Sequence, residues 1–212
     1  MPTNVQSPSG KTLRRRVLTP VVALALLPLG LSACAPSGPV EVAPPGGEGS
    51  AGSGETQHSG DGSRANPFPV GTRAKFSADS IWTLQIGETD PNAWEAISAH
   101  NGAAREAADD KIYVTVPVRV EANQADSEGY DPATTIDIDY VTSSGNTFSA
   151  KTSCWFALPE LGSVWDVEDM FAGASAEFLG CVAVPEEDVA GGTWRFSSVG
   201  IDADSVFFAG AP

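Results

Sequence analysis

The chain has 212 residues, of which 27 are acidic and 12 are basic, so its formal net charge at pH 7 is −15. Proteins that bind nucleic acid need a basic face for the phosphates, and this balance excludes nucleic acid as a partner. Four of the basic residues lie within the first 33 residues, whereas every acidic residue follows them. The charge pattern therefore separates a short N-terminal segment from an acidic remainder.

The N-terminal segment has the pattern of an export signal. Three consecutive arginines at residues 14–16 precede an apolar run at residues 17–30, which is shorter than the ~20 residues of a transmembrane helix. We therefore expect a secretory signal peptide over residues 1–33, exported by either the general or the twin-arginine route. The sequence LSAC at residues 31–34 resembles a bacterial lipobox. The resemblance implies that Cys34 becomes the first mature residue and carries a diacylglyceryl group in the membrane.

The next segment, residues 34–63, lacks the side chains of a folded core. Residues 35–63 contain eight Gly, four Pro and five Ser and no aromatic residue. Such a composition buries too little apolar surface to offset the conformational entropy lost on folding. We expect a disordered linker that acts as a stalk, with a root-mean-square span of about 30 Å.

The residues that can form a hydrophobic core lie at 64–212, because every aromatic residue and two of the three cysteines are found there. A segment of this length is typical of one domain. Apolar and polar residues alternate over residues 112–121, which predicts a strand with one buried face. Pro117 lies on the outward phase and cannot donate a backbone hydrogen bond, so we expect a sheet edge or a bulge at this point.

Further alternating runs predict shorter strands. In chain order they lie at residues 81–86, 136–140, 178–184, 193–196 and 206–209. The alanine-rich residues 91–108 predict a short helix or a long loop, with Asp90 and Pro91 at its start and its end at residues 100–102. Many short strands with one irregular insertion predict an all-β fold, a two-sheet antiparallel sandwich.

Three motifs carry a resemblance to a known family. They are NPFPVGT at residues 66–72, YVTVPV at residues 113–118 and GCVAVP at residues 180–185. Together they resemble the immunoglobulin-like domain of secreted actinobacterial lipoproteins, which is similar to the telokin-like and mycobacterial immunoprotective-antigen sandwiches. The resemblance spans residues 64–212. It implies an extracellular immunoglobulin-like sandwich of uncharacterised function and supplies no catalytic residues.

The cysteines divide into one residue and a pair. If Cys34 carries the lipid, Cys154 and Cys181 remain, and an oxidising compartment favours a disulfide bond between them. Closing this loop would stabilise the fold by about 3 to 4 kcal/mol in the chain-entropy model. The pair lacks the C-x-x-C spacing of redox-active sites, so we expect a structural bridge.

The sequence offers little machinery for catalysis. His100 is the one histidine of residues 64–212, and no G-x-S-x-G elbow, phosphate loop or dinucleotide fingerprint is present. We therefore expect a protein that is not an enzyme and has no cofactor. The close carboxylate pairs Asp137 with Asp139 and Asp202 with Asp204 leave calcium or another metal ion as an alternative. A carboxylate-dependent hydrolase is a weaker alternative.

The five tryptophans are the remaining candidates for function. Trp82 and Trp194 lie in strand patterns and should be core residues whose indole N–H groups need partners. Trp155 directly follows a cysteine and should pack against the disulfide. Trp94 and Trp165 lie in or near loops, where exposed aromatic residues are typical of binding surfaces. We therefore expect an interaction module, lipid-anchored on the extracytoplasmic face of the bacterial cell membrane, that binds an envelope protein or polymer.

Overall fold

The computed structural model describes residues 38–42, 60–108, 110–123, 129–156, 158–199 and 204–212. All of these residues belong to one unit, which spans residues 36–212. The predicted signal peptide, Cys34 and most of the predicted linker lie outside the described residues, and so does Asp202.

The described residues form nine strands in two antiparallel sheets. In chain order these are β1 (Val40–Glu41), β2 (Arg73–Lys75), β3 (Trp82–Ile86), β4 (Lys111–Ala122), β5 (Ile136–Val141), β6 (Thr147–Ser149), β7 (Ser175–Pro185), β8 (Thr193–Ser198) and β9 (Ser205–Ala209). The first sheet has the order β1-β2-β3-β4-β7, and the second has the order β6-β5-β8-β9. The predicted two-sheet antiparallel sandwich is confirmed.

Three short helices connect these strands, α1 (Trp94–His100), α2 (Pro132–Thr135) and α3 (Ala150–Ser153). Helix α1 is the predicted insertion, and it ends where the sequence indicates. It begins later than expected because Asp90 joins the first sheet instead: its backbone exchanges hydrogen bonds of 2.9 and 3.0 Å with Thr115. None of the helices in the described ranges is long and apolar enough to cross a membrane.

The main core lies between the sheets. The inward valines of β4, residues 114, 116, 118 and 120, are all buried, which confirms the predicted phase of this strand. Trp82 and Trp194 are also fully buried, as expected. The indole N–H of Trp194 donates to Thr89 Oγ1 at 3.0 Å, whereas that of Trp82 has no partner among the described residues.

Pro117 lies inside the first sheet, so the expected sheet edge is wrong. The pairing beside it does contain a bulge, because Gly87 bonds to Pro117 but Asp90 lies opposite Thr115, which leaves two residues facing one. Strand β4 is flanked by β3 and β7, and its pairing with β7 continues through Pro117 opposite Leu179. The Pro117 carbonyl accepts from the N–H of Gly87 at 2.8 Å, so the backbone N and O of this residue face the β3 side. Strand β3 has already ended there, at Ile86, and a missing donor therefore costs no ladder hydrogen bond.

Part of the predicted linker lies on the sandwich. Strand β1 pairs with β2, and the N–H of Val42 donates to the Arg73 carbonyl at 2.6 Å. The Gly62 carbonyl accepts from the N–H of Phe207 at 2.9 Å. These contacts use backbone groups, which every residue carries, so the side-chain composition that predicts a linker over residues 34–63 does not reveal them.

Candidate functional site

A second apolar cluster covers the outer face of the first sheet at the end where β4 begins. It consists of Ala93, Ile97, Tyr113, Leu158 and Cys181, with further side chains packed around it. Tyr113 and Cys181 occupy the outward phases of β4 and β7, yet both are buried. Helix α1 and the residues that follow α3 cover them. The expectation that β4 has one buried face is therefore wrong for this half of the strand.

The disulfide bond between Cys154 and Cys181 fastens this cover to the sheet. Their Cα atoms are 6.0 Å apart, and the bond joins the end of α3 to the middle of β7. The Tyr113 ring packs edge-on against Phe156 at a centroid distance of 5.3 Å and lies 6.2 Å from the Trp94 ring. The structure thus contains the bridge that the cysteine count predicts.

Residues 158–171, which we call the edge segment, run along the outer side of β7. The N–H of Leu179 donates to the Gly162 carbonyl at 2.8 Å, and Tyr130 and Met170 exchange hydrogen bonds of 3.0 and 2.9 Å. Between these points, the N–H of Ser163 donates to the Asp166 carboxylate at 2.7 Å. The edge segment is therefore held at Gly162 and at Met170, and it contacts the edge of β7 at Leu179.

Large aromatic side chains are exposed on and beside the edge segment. The exposed fractions are 78 % for Trp155, 54 % for Trp165 and 55 % for Phe171. The expectation that Trp155 packs against the disulfide is wrong, because its ring points to solvent and its indole N–H donates to the Thr152 carbonyl at 3.2 Å. Leu161 is a further exposed apolar side chain of the segment.

The two tryptophans singled out from the sequence line different spaces. Trp94 is partly buried against the second cluster and lines an open groove of about 340 Å³ with Asn92, Glu106 and Lys111. Trp165 borders a cavity of about 20 Å³ behind the disulfide, which has room for about one water molecule. Trp94 and Trp165 therefore line different pockets, and Trp165 is the more exposed of the two residues.

Two carboxylates of the calcium alternative, Asp137 and Asp139, are engaged in ion pairs. Asp139 is buried and accepts from the Arg195 guanidinium at 2.6 and 3.2 Å. Asp137 pairs with the ammonium group of Lys151. Asp204 is described and partly exposed, and its predicted partner Asp202 is outside the described residues. Within the described ranges, no group of three or more potential ligands could hold a metal ion.

Two buried tyrosines have raised pKa values. Burial raises the pKa of Tyr113, whose hydroxyl donates to the Arg105 carbonyl at 3.2 Å. Burial also raises the pKa of Tyr140, although hydrogen bonds from the backbone N–H groups of Ala211 and Gly192 oppose the shift. Both hydroxyls are thus engaged in hydrogen bonds within the fold.

Comparisons with known proteins assign the chain to no family. No protein-family model and no curated protein matches the chain. One similar solved structure is a conserved hypothetical protein from Bacillus anthracis, with 10% identity, a TM-score of 0.40, and coverage of 65% of this chain and 94% of that chain. Another is an uncharacterized beta-sandwich protein from Clostridium difficile 630, with 10% identity, a TM-score of 0.39, and coverage of 66% and 90%. The chain is thus similar to uncharacterised proteins, one of them described as a β-sandwich.

Proposed function

We propose that the protein is a lipid-anchored, non-enzymatic interaction module of the bacterial cell envelope. It lies on the extracytoplasmic face of the membrane and binds an envelope protein or polymer through Trp155, Trp165 and Phe171. The observation that carries the proposal is that all three rings are more than half exposed. Large aromatic residues are enriched at the centres of protein interfaces, and exposed apolar surface marks interaction sites.

The rings stand on a prearranged backbone. The disulfide holds the chain immediately before Trp155, and the hydrogen bonds of Gly162 and Met170 hold the backbone of the edge segment. Binding residues that are already ordered lose less conformational entropy when a partner binds. A rigid sandwich that presents aromatic side chains on a connecting segment is a common arrangement for binding modules.

The anchor and the location are supported by the sequence. The basic residues, the short apolar run and the LSAC motif at residues 31–34 favour lipidation at Cys34. Two acyl chains anchor a protein stably where one chain binds reversibly. The disulfide fits an oxidising compartment. The resemblance to the immunoglobulin-like domain of secreted actinobacterial lipoproteins supports the same location.

Membrane fractionation tests the anchor. The full chain and its Cys34→Ala variant are expressed in an actinobacterial host, and cells are labelled with a clickable fatty acid. We expect the wild-type protein to be labelled and to sediment with membranes, and the variant to be unlabelled and released. A variant that remains on the membrane like the wild type would refute lipid anchoring.

Capture from detergent-solubilised envelopes tests the binding surface. A variant with Trp155, Trp165 and Phe171 replaced by Ala should lose the partner that the wild-type chain retains, without a lower melting temperature. The matched control replaces the exposed apolar residues Val70 and Val199, which lie outside the edge segment, and should retain the partner. Equal capture by all three proteins would refute the proposed surface.

Trp94 has a different expected behaviour. Its ring packs against Tyr113 in the second cluster, so Trp94→Ala should lower the melting temperature and affect capture only through that loss of stability. If Trp94→Ala abolishes capture while the melting temperature is unchanged, the binding surface lies at the groove and the proposed surface is wrong.

A further inference from the structure

The exposed ring of Phe171 lies beside a carboxylate. A Cβ atom added to Gly129 would lie 3.0 Å from Cζ of Phe171 and 3.1 Å from Cβ of Asp169. The ring and the acidic side chain therefore border the same glycine and are neighbours in space. Both residues are exposed to solvent, so a partner can reach the ring and the carboxylate together.

The exposed ring of Trp165 also has a carboxylate on the next residue, Asp166, in the 3-10 turn Val164–Asp166. The position of this carboxylate is fixed, because its Oδ2 accepts from the N–H of Ser163 at 2.7 Å and from the Ser163 hydroxyl at 3.0 Å. Neither of these hydrogen bonds uses Oδ1, which remains able to accept from a partner. The turn thus holds a second ring and a second carboxylate at the surface.

The edge segment as a whole carries charge of one sign. Residues 158–171 contain four acidic residues and no basic residue. The acidic residues are Glu160, Asp166, Glu168 and Asp169, and all four are exposed. Within the part of the chain that the structure describes, none of the four forms a salt bridge. The rings therefore stand in a negative surface that no cation of the described residues neutralises by direct contact.

A ring and a carboxylate at one place favour a cationic group. The face of an aromatic ring attracts an ammonium or guanidinium group within about 6 Å of the ring centre. A carboxylate forms charge-assisted hydrogen bonds with the same groups. Arginine suits both contacts, because its planar guanidinium stacks on rings and donates two parallel hydrogen bonds to a carboxylate. Arginine is also enriched at protein interfaces together with aromatic residues.

Other occupants match this surface less well. An anionic membrane or a phosphate-bearing polymer would place like charges against the carboxylates, which disfavours the complex. A neutral polymer would use the rings and leave the carboxylates unmatched. A second copy of the chain has a formal net charge of −15, and its Arg73, Lys151 and Arg195 already form salt bridges. The surface therefore fits a different protein that is basic where it binds.

We propose that the partner of the edge segment is a basic segment of another protein, whose arginine or lysine side chains bind against the rings of Trp165 and Phe171 and the carboxylates beside them. The inference rests on the proposed function and names the chemistry of the partner. The rings supply apolar contact area, and the carboxylates select the charge of what lies on them.

A pair of synthetic peptides tests the preference for positive charge. The probe is a fluorescein-labelled peptide of alternating arginine and serine, and its control carries citrulline, which keeps the shape of arginine without its charge, at every arginine position. Fluorescence anisotropy measures the affinity of each peptide for the purified chain with its disulfide intact. We expect the arginine peptide to bind, more weakly as the salt concentration rises, and the citrulline peptide to bind at least about tenfold more weakly. Equal affinities, or no binding of the arginine peptide, would overturn the proposal.

Replacement of the rings by leucine tests the contact between ring and cation. Trp165→Leu with Phe171→Leu keeps apolar side chains at both positions and removes the aromatic faces. The arginine peptide should bind about fivefold or more weakly, since each exposed contact of a ring with a cation is worth a factor of about two to five. Because both residues are exposed, the melting temperature should stay at the wild-type value. Unchanged affinity would overturn the role of the rings.

Charge neutralisation tests the place of the carboxylates. Glu168→Gln with Asp169→Asn should weaken binding of the arginine peptide by about threefold or more. The matched control is Glu186→Gln with Glu187→Gln, which makes the same change in net charge at two exposed residues outside the edge segment. The control should bind like the wild type. An equal loss in both variants would show attraction by the overall charge and would overturn the proposed site.

These outcomes are distinguishable from a failure of the proposed function. If the envelope partner is captured through the three aromatic residues but the arginine and citrulline peptides bind equally, the binding surface stands and the basic partner is wrong. If the arginine peptide binds as expected but no envelope partner is captured, the recognition of cations stands and the proposed function is wrong.

Discussion

Removal of the disulfide by Cys154→Ala with Cys181→Ala should destabilise the domain without abolishing its fold. The bridge closes a loop with a sequence separation of 27. In the chain-entropy model, opening such a loop costs about 3.5 kcal/mol of unfolding free energy. Since each kcal/mol lowers the melting temperature of a domain of this size by about 2 to 4 °C, we expect a fall of about 7 to 14 °C.

The structure indicates which part of the domain would lose stability without the disulfide. Cys181 is buried in the second cluster, so the two alanines also leave a small space there. The main core between the sheets does not include either cysteine. The edge segment keeps its hydrogen bonds at Gly162 and Met170. The sandwich should therefore remain folded, with faster amide hydrogen exchange in the second cluster.

Equilibrium unfolding in denaturant measures the effect. The oxidised wild-type chain, the reduced wild-type chain and the double variant are compared, with Cys34→Ala as the control that keeps the bridge. We expect the reduced chain and the double variant to unfold at similar, lower denaturant concentrations and the control to match the oxidised chain. Unfolding midpoints that do not change in the double variant would show that the bridge contributes nothing and would refute the reasoning.

Three further predictions follow from packing and charge. Gly192→Ala should lower the unfolding free energy by about 1 to 3 kcal/mol, because the added Cβ would overlap the Tyr140 ring, and an unchanged thermal melt would contradict this. Burial raises the pKa of Tyr140, so the contribution of Tyr140 to stability should be constant below its usual pKa and should fall as the pH rises through the raised value. Alkaline melts should show a smaller fall for Tyr140→Phe, and an equal fall would contradict this. Asp139→Ala should lower the unfolding free energy by about 1.5 to 3 kcal/mol, because it removes the buried carboxylate that accepts from Arg195. Asp137→Ala removes a more exposed ion pair and should lower it by about 0 to 1 kcal/mol. Unfolding in denaturant measures both changes, and equal changes would refute the difference in burial.

The long strands were predictable because their residues alternate over many positions. In β4 the inward valines follow one phase for most of the strand, and β7 shows the same pattern at Phe178, Val182 and Val184. The burial of Tyr113 on the opposite face was not predictable from β4 alone. It depends on α1 and the disulfide-bonded chain, which come from other parts of the sequence.

The short strands carry no comparable signal. Strands β1, β2 and β6 have two or three residues each, too few for a period to be visible. They form because their backbone groups complete the ladder of a longer neighbour. Pro117 shows the same dependence on context: a residue that cannot donate is compatible with a central strand where the neighbouring strand has ended.

The candidate site shows which local rules could have separated exposed from buried tryptophans. Cys154 has φ −121° and ψ 89°, at the border of the extended region, and is bonded to Cys181. Successive side chains of an extended chain point to opposite sides, so the residue after a bridged cysteine is expected to point outward, as Trp155 does. Trp94 and Ile97 are three residues apart in the predicted helix and share a helix face, which indicates burial for Trp94 as well. Adjacency to a cysteine predicts a buried Trp155, and a position in or near a loop predicts an exposed Trp94; side-chain direction decides both cases.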